Sequence, residues 1–185
     1  MLKAMGIRPT APLWVTFAAL TAFCLPAVLP WGGGAQAGDK SAMTQRKGSG
    51  LPIPRFASIR SDEANVRTGP GTRYPVEWEF KRKGMPVEII AEYENWRKIR
   101  DWQGASGWIH QSLLSGKRSF IIASKVANLR KTPAPSAEIV ARLEPEVMGE
   151  IRSCAGDWCR VKVSGASGWI ARTGMWGVYK SEPIN

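Results

Sequence analysis

A single histidine, His110, and three cysteines, Cys24, Cys154 and Cys159, are all the imidazole and thiol chemistry in 185 residues. One imidazole excludes most histidine-based catalysis and any histidine-rich metal site, and these four groups together cannot build two zinc sites. Acidic residues are scarce, 15 Asp and Glu against 26 Lys and Arg, for a net charge of +11. What the chain does carry is 9 Trp, 19 Gly and 13 Pro within a 44% hydrophobic composition. That composition belongs to a globular protein and not to a disordered one. The length suits one ordinary domain or two very small ones.

The first 37 residues read as a targeting segment. Lys3 and Arg8 form a positive start, Leu13 to Leu29 carries no charge, and Ala35-Gln36-Ala37 fits the small-x-small cleavage pattern. An uncleaved membrane anchor is the alternative, since the apolar run approaches the minimum spanning length. Pro26, Pro30 and Gly32-Gly33-Gly34 break a helix before its flank and favour cleavage after Ala37. The expected product is a secreted, periplasmic protein whose only membrane contact is through the signal peptide before cleavage. Loss of Lys3 and Arg8 leaves a charge of +9 and two cysteines, Cys154 and Cys159. An even pair in an exported chain is expected to form a disulfide. Residues 38–54, rich in Lys, Ser, Gln, Gly and Pro, read as a flexible linker.

The remainder repeats itself. Asn65-Val66-Arg67-Thr68-Gly69-Pro70 is echoed by Asn128-Leu129-Arg130-Lys131-Thr132-Pro133, and Asn95-Trp96-Arg97 by Asp157-Trp158-Cys159. Gly104-Ala105-Ser106-Gly107-Trp108-Ile109 recurs unchanged as Gly165-Ala166-Ser167-Gly168-Trp169-Ile170. Three matches in one order at nearly one period signify duplication, with units at 55–120 and 121–182. Within each unit the signals are those of strands. Met85, Val87, Ile89, Ala91 and Tyr93 alternate with other residues and predict a strand with one buried face. Glu94-Asn95 then turns the chain, Trp96 to Arg100 returns as hairpin partner, and Ser106 to His110 adds a further strand. In the second unit Ile139 to Leu143, Val147 to Ser153, Trp158 to Val163 and Gly168 to Ala171 take the same parts. Short strands at hairpin spacing in some 60 residues predict a small closed barrel. The fold class is all-β, two tandem barrels behind the signal peptide and linker.

The run Asn65-Val66-Arg67, Gly69-Pro70-Gly71 and Val76, the Lys83-Gly84 turn, Asn95-Trp96-Arg97-Lys98-Ile99 and Gly107-Trp108-Ile109 resembles the bacterial SH3 domain. The likeness covers nearly all of 55–180, twice, and the second copy, with Pro133-Ala134-Pro135-Ser136 in place of the Gly-Pro-Gly stretch, is the more diverged. The resemblance implies a five- or six-stranded barrel per unit, and binding of cell-wall peptide or another protein in place of catalysis. The eukaryotic SH3 pattern has Pro and Tyr after its last strand, where this chain has His110-Gln111-Ser112 and Ala171-Arg172-Thr173. That departure argues against Pro-rich ligands.

Strand parity sorts the tryptophans. Cys159, Val161 and Val163 share a core face, so Trp158 points away from it; the same parity puts Trp96 opposite Ile99. A surface indole offers an apolar body with an N–H at its edge, a natural binding platform; cover by the preceding long loop or the sister domain is the alternative. The candidate ligand-binding set is Trp96, Tyr74, Trp78, Trp102, Arg97 and Trp158: Tyr74 for its place in the long loop, Trp102 for its loop tip, and Arg97 for its charge beside Trp96. Trp108 and Trp169 are expected half-buried, with Ile109 and Ile170 facing the core.

Cys154 and Cys159 bracket the turn Gly156-Asp157 and are expected to form a structural disulfide. A redox pair would want Cys-x-x-Cys at a helix N-terminus, which is absent here. The positive charge is spread, and its one tight cluster is Lys81-Arg82-Lys83. Export argues against nucleic acid, leaving peptidoglycan or an envelope protein as the partner; diffuse attraction to anionic envelope surfaces is a further alternative. No catalysis, cofactor or metal is expected.

Overall fold

The computed structural model describes residues 48–185, so the expected signal peptide and most of the linker lie outside the described residues. The architecture is all-β, in two antiparallel sheets. The first is built from β1 (Arg55–Ile59), β2 (Ala64–Arg67), β3 (Val76–Phe80), β4 (Pro86–Tyr93), β5 (Trp96–Arg100), β6 (Ser106–His110) and β7 (Leu114–Ser115). Their spatial order is β3-β2-β6-β5-β4-β1-β7. The second contains β8 (Ser119–Ile121), β9 (Ala127–Arg130), β10 (Ile139–Leu143), β11 (Met148–Ala155), β12 (Trp158–Val163) and β13 (Ala166–Ala171), ordered β10-β9-β13-β12-β11-β8. A single 3-10 turn follows the last long strand of each sheet, at Gln111–Leu113 and Arg172–Gly174. The repeat in the sequence is thus a repeat in topology.

Each sheet curls around its own core. Ile59, Val66, Val87, Ile99 and Ile109 fill the first barrel, and Phe120, Leu129, Val161 and Ile170 the second, all of them almost wholly buried. Alternation along β5 and β12 is clean: Arg97 and Ile99 point inward with Trp96 and Lys98 outward, and Cys159, Val161 and Val163 point inward with Trp158 and Arg160 outward. Ile109 and Ile170 are buried while Trp108 and Trp169 are half-buried on the other face.

The expected alternation of Met85 to Tyr93 holds only as far as Ile89. Ile89 pairs with Ile99 but Ala91 pairs with Lys98, so Ile90 is the extra residue of a β-bulge. An inserted residue reverses the facing of everything after it. Glu92 therefore turns inward opposite Arg97, and Tyr93 turns outward opposite Trp96. The second barrel has the same bulge between Ile151 and Ser153, which brings Cys154 opposite Cys159. Their sulfurs are bonded, with the two Cα atoms 4.1 Å apart. A cross-strand ion pair in the first barrel and a disulfide in the second thus occupy one structural position.

The barrels touch through the tail that follows the second. Phe56 of β1 meets Trp176 edge-on at 4.9 Å and Tyr179 at 4.7 Å. The Tyr179 hydroxyl donates to Glu88 Oε1 at 2.7 Å, and Arg118 pairs with Glu182 while its guanidinium lies over the Phe56 ring. This cover explains why Glu88, on the outer face of β4, is only 4% exposed.

Candidate functional site: the Trp96 groove

Residues 68–75 form the loop between β2 and β3, and its shape is set from inside. Arg67, at the end of β2, donates from Nη1 to the Tyr74 carbonyl at 2.7 Å and the Thr72 carbonyl at 3.2 Å. The Tyr74 ring lies so close to Gly69 that a Cβ there would come within 2.5 Å of it. Glycine at 69 is thus required by contact, and Tyr74 serves as the loop's internal prop. Arg73 extends over the outer side of that ring at 5.2 Å. The second barrel repeats the pinning, with Arg130 Nη1 donating to the Ala137 carbonyl at 2.6 Å.

Facing this loop is the tip of the β4–β5 hairpin. Between them runs a groove with a main compartment of about 460 Å³, bounded by Pro70, Thr72 and Arg73 on one side and Tyr93, Asn95 and Trp96 on the other. An adjoining pocket of about 330 Å³ continues it over Asn65, Arg67 and Leu113. Thr72, Trp96 and His110 line both compartments. The Trp96 indole is half-buried and meets the His110 ring edge-on at 5.4 Å. His110 is itself oriented by Ser112, whose Oγ lies 2.7 Å from its Nδ1.

The hairpin tip is held rigidly by Arg97, which lies beneath it and is 4% exposed. Its Nη1 donates to the carbonyls of Glu94 and Trp96 at 2.8 and 3.0 Å, and its Nε lies 3.1 Å from Glu92 Oε1. Nη2 donates to Gln111 Oε1 at 2.5 Å, and Gln111 returns to Asn95 through its side-chain amide at 2.9 Å. Glu92 also accepts from Arg55 at 2.5 Å and from the backbone N–H and hydroxyl of Ser49. Burial alone would raise the Glu92 pKa, but these hydrogen bonds and the Arg55 charge outweigh it and hold the carboxyl below its ordinary value. Glu94, at the tip, has φ 50, a left-handed conformation costing a non-glycine residue roughly 1 kcal/mol. Its counterpart in the second barrel is Gly156, at φ 54.

The candidate residues therefore fall in different places. Trp96 lines the groove. Trp158 lines the matching groove of the second barrel, about 260 Å³, with Asn128, Arg130, Pro135 and Thr173. Tyr74 supports the loop from within. Arg97, expected beside the ligand for its charge, is instead enclosed with all its nitrogens engaged by protein groups, because β5 parity directs it inward. Trp78 packs edge-on against Phe80 at 6.3 Å and joins the core of the first barrel. Trp102 sits in the β5–β6 turn, organised by Asp101 Oδ1 accepting the N–H groups of Gln103 and Ala105, and it does not line the groove. Sequence reasoning missed His110 and Thr72 as groove residues. The parity His110 shares with Trp108, in the strand that pairs with Trp96, was the available signal.

The bacterial SH3 domain family matches this chain twice, at residues 60–116 and 123–177. Among curated proteins, the chain is similar to "Putative N-acetylmuramoyl-L-alanine amidase YrvJ" of Bacillus subtilis, 25% identical over 126 residues. That match takes in 62% of this chain and spans about a quarter, 24%, of the relative. Similar solved structures include NlpC2 from Trichomonas vaginalis, at 12% identity, TM-score 0.33, 71% of this chain and 51% of that one. An NlpC/P60 family protein from Bacillus cereus gives 14% identity, TM-score 0.30, 65% of this chain and 55% of that one. With two matched segments that together cover more than half its length, the chain belongs to the bacterial SH3 domain family.

Proposed function

We propose that this chain is a non-catalytic binding protein of the cell envelope that recognises peptidoglycan peptide through the Trp96 groove. The observation that carries the reading is the groove itself. It is a cleft with a half-buried indole on its wall, a hairpin tip locked from beneath by Arg97, and a facing loop propped by Tyr74. A preorganised aromatic wall captures a ligand with little ordering cost. Glu94 remains at a strained position that the second barrel gives to glycine, as residues at ligand clamps do. Family membership and the amidase name of the Bacillus subtilis relative support the wall as the source of the ligand. The disulfide and the expected signal peptide support export to the periplasm. Both described cysteines are joined to each other and His110 is engaged with Ser112 and Trp96, so no thiol–imidazole pair is assembled among the described residues.

The test is co-sedimentation of the exported form with purified peptidoglycan at moderate salt. Pelleting of the parent and its loss in Trp96→Ala are expected. Absence of pelleting by the parent sinks the reading and makes an envelope protein the partner to seek. Pelleting that Trp96→Ala leaves intact, but that collapses on raising salt, transfers binding to diffuse basic surface.

A further inference from the structure

A second cleft lies where the barrels meet, and neither the family resemblance nor the Trp96 groove accounts for it. It measures about 610 Å³. Its walls come from the end of β1, the Lys83-Gly84 turn, the connector 115–119 and the start of β11. The half-buried Met148 and the two glycines Gly84 and Gly149 give it an apolar base, while Ile59 at its edge belongs to the core of the first barrel. Gly149 has no freedom to carry a side chain, since a Cβ there would come within 2.6 Å of the Lys162 carbonyl.

Four cations line this cleft: Arg60, Lys83, Lys117 and Arg118. Some cations elsewhere sit beside carboxylates, as in Lys81–Glu79, Arg100–Glu88 and Lys131–Glu138. Here the one lining carboxylate, Glu150, is drawn to Arg152 at 2.8 Å, and Arg118 is engaged by Glu182. Arg60, Lys83 and Lys117 have no ion-pair partner among the described residues. Three uncompensated charges converging on one concave site concentrate positive potential there far more than the same charges spread over a convex surface. The wall also contains Arg118 Nε and the hydroxyl of Ser119, a residue only 8% exposed; both atoms are buried without a hydrogen-bond partner. Unsatisfied buried polar atoms are rare in native proteins, and each calls for a water, an ion or another polar group beside it.

We propose that this inter-barrel cleft is a second binding site that takes an acidic peptide, with its carboxylates on Arg60, Lys83 and Lys117 and its aliphatic stem over Met148. The guanidinium fork of Arg60 suits a carboxylate. The apolar base distinguishes a peptide from a bare inorganic anion, which would gain nothing from it. The site stands independently of the Trp96 groove.

The experiment is an amide-shift titration of the isotope-labelled protein in its exported form with acetylated tri-glutamate. Tri-glutamine and inorganic phosphate serve as comparison probes. Tri-glutamate is expected to move Gly84, Lys117, Ser119 and Gly149, and tri-glutamine to leave them in place. The combined variant Arg60→Gln, Lys83→Gln, Lys117→Gln changes only exposed side chains and is expected to weaken the peptide at least about tenfold. Trp96→Ala is expected to leave it unchanged. Shifts scattered over the whole basic surface, shifts that survive the triple variant, or no shifts at millimolar peptide would each overturn the proposal. Phosphate acting as well as the peptide would overturn the peptide assignment.

Discussion

Glu92 is the residue on which the groove's rigidity converges, because the guanidinium that fixes the Trp96 hairpin is itself compensated by this carboxylate. The pair is enclosed, at 8% side-chain exposure for Glu92 and 4% for Arg97. Removing one partner of such a pair costs about 3–5 kcal/mol, since the other is left charged and dry. The sign of its pH dependence follows from the direction of its shift. Glu92 has a folded pKa below the ordinary value of 4.5, and Glu182, held by Arg118 against the opposing effect of burial, shifts the same way. A depressed carboxylate stabilises the fold above its unfolded pKa, and that contribution is lost as pH falls through the folded value. Urea midpoints between pH 7 and pH 3 are therefore expected to be level down to about pH 5 and to fall steadily below it. Glu92→Gln is expected to lower the plateau at pH 7 and flatten the acid limb, leaving the slope due to Glu182. An unchanged acid limb would show that Glu92 is not differentially ionised on folding.

At the scale of the elements, the two β-hairpins solve one problem in two ways. The bulges at Ile90 and Arg152 turn residues 92 and 154 toward the interior, where they meet residues 97 and 159 of the partner strands. The first barrel stabilises this position with charge and the second with a covalent bond. Closing so short a loop contributes about 2 kcal/mol by the chain-entropy argument. Cys154 is also the seat of the returning tail, donating its backbone N–H to the Ile184 carbonyl at 2.7 Å. The double variant Cys154→Ser, Cys159→Ser is expected to lose about 2 kcal/mol in denaturant unfolding. Reductant should lower the parent to the same level and leave the variant unmoved; equal stability of parent and variant in oxidising buffer would remove the disulfide from the account. These elements were legible in the sequence to different depths. The strands, the hairpin turns and the facing of Trp96 and Trp158 follow from alternation, which is a local property of the chain. The bulge does not, because register is decided jointly with the partner strand, and Ile90 looks like any other apolar residue. That is why strict alternation from Met85 places Glu92 on the outer face, when it is enclosed against Arg97; Arg97 itself entered the ligand-binding set for its charge, against the parity that groups it with Ile99. Trp78, expected in the ligand-binding set, turns instead to the core of the first barrel, since an aromatic on an edge strand can take either face.

At the scale of the whole molecule, the feature with no signature in the sequence is the coupling of the barrels. Tyr179 reaches Glu88 across 91 residues, and Arg118 reaches Glu182 across 64. No periodicity spans such separations. The coupling rests on one apolar anchor, the Phe56 ring held between Trp176, Tyr179 and the Arg118 guanidinium. Around it lie polar contacts whose groups are partly desolvated: burial and the Glu88 carboxylate both push the Tyr179 phenol up, so it remains a donor throughout the physiological range. Truncating a buried aromatic anchor costs about 3–5 kcal/mol, which exceeds what partly exposed ion pairs supply. Phe56 lies outside both barrel cores, so that loss falls on the junction and spares each barrel. Phe56→Ala is accordingly expected to convert a single cooperative thermal transition into two, with each barrel melting separately, and to increase the radius of gyration in solution scattering. It should also weaken tri-glutamate binding in the inter-barrel cleft, whose walls come from both barrels, while leaving the Trp96 groove intact. A single transition at a lowered temperature, with unchanged dimensions, would instead place Phe56 within the first barrel's own cooperative unit and leave the tail as a passenger on it.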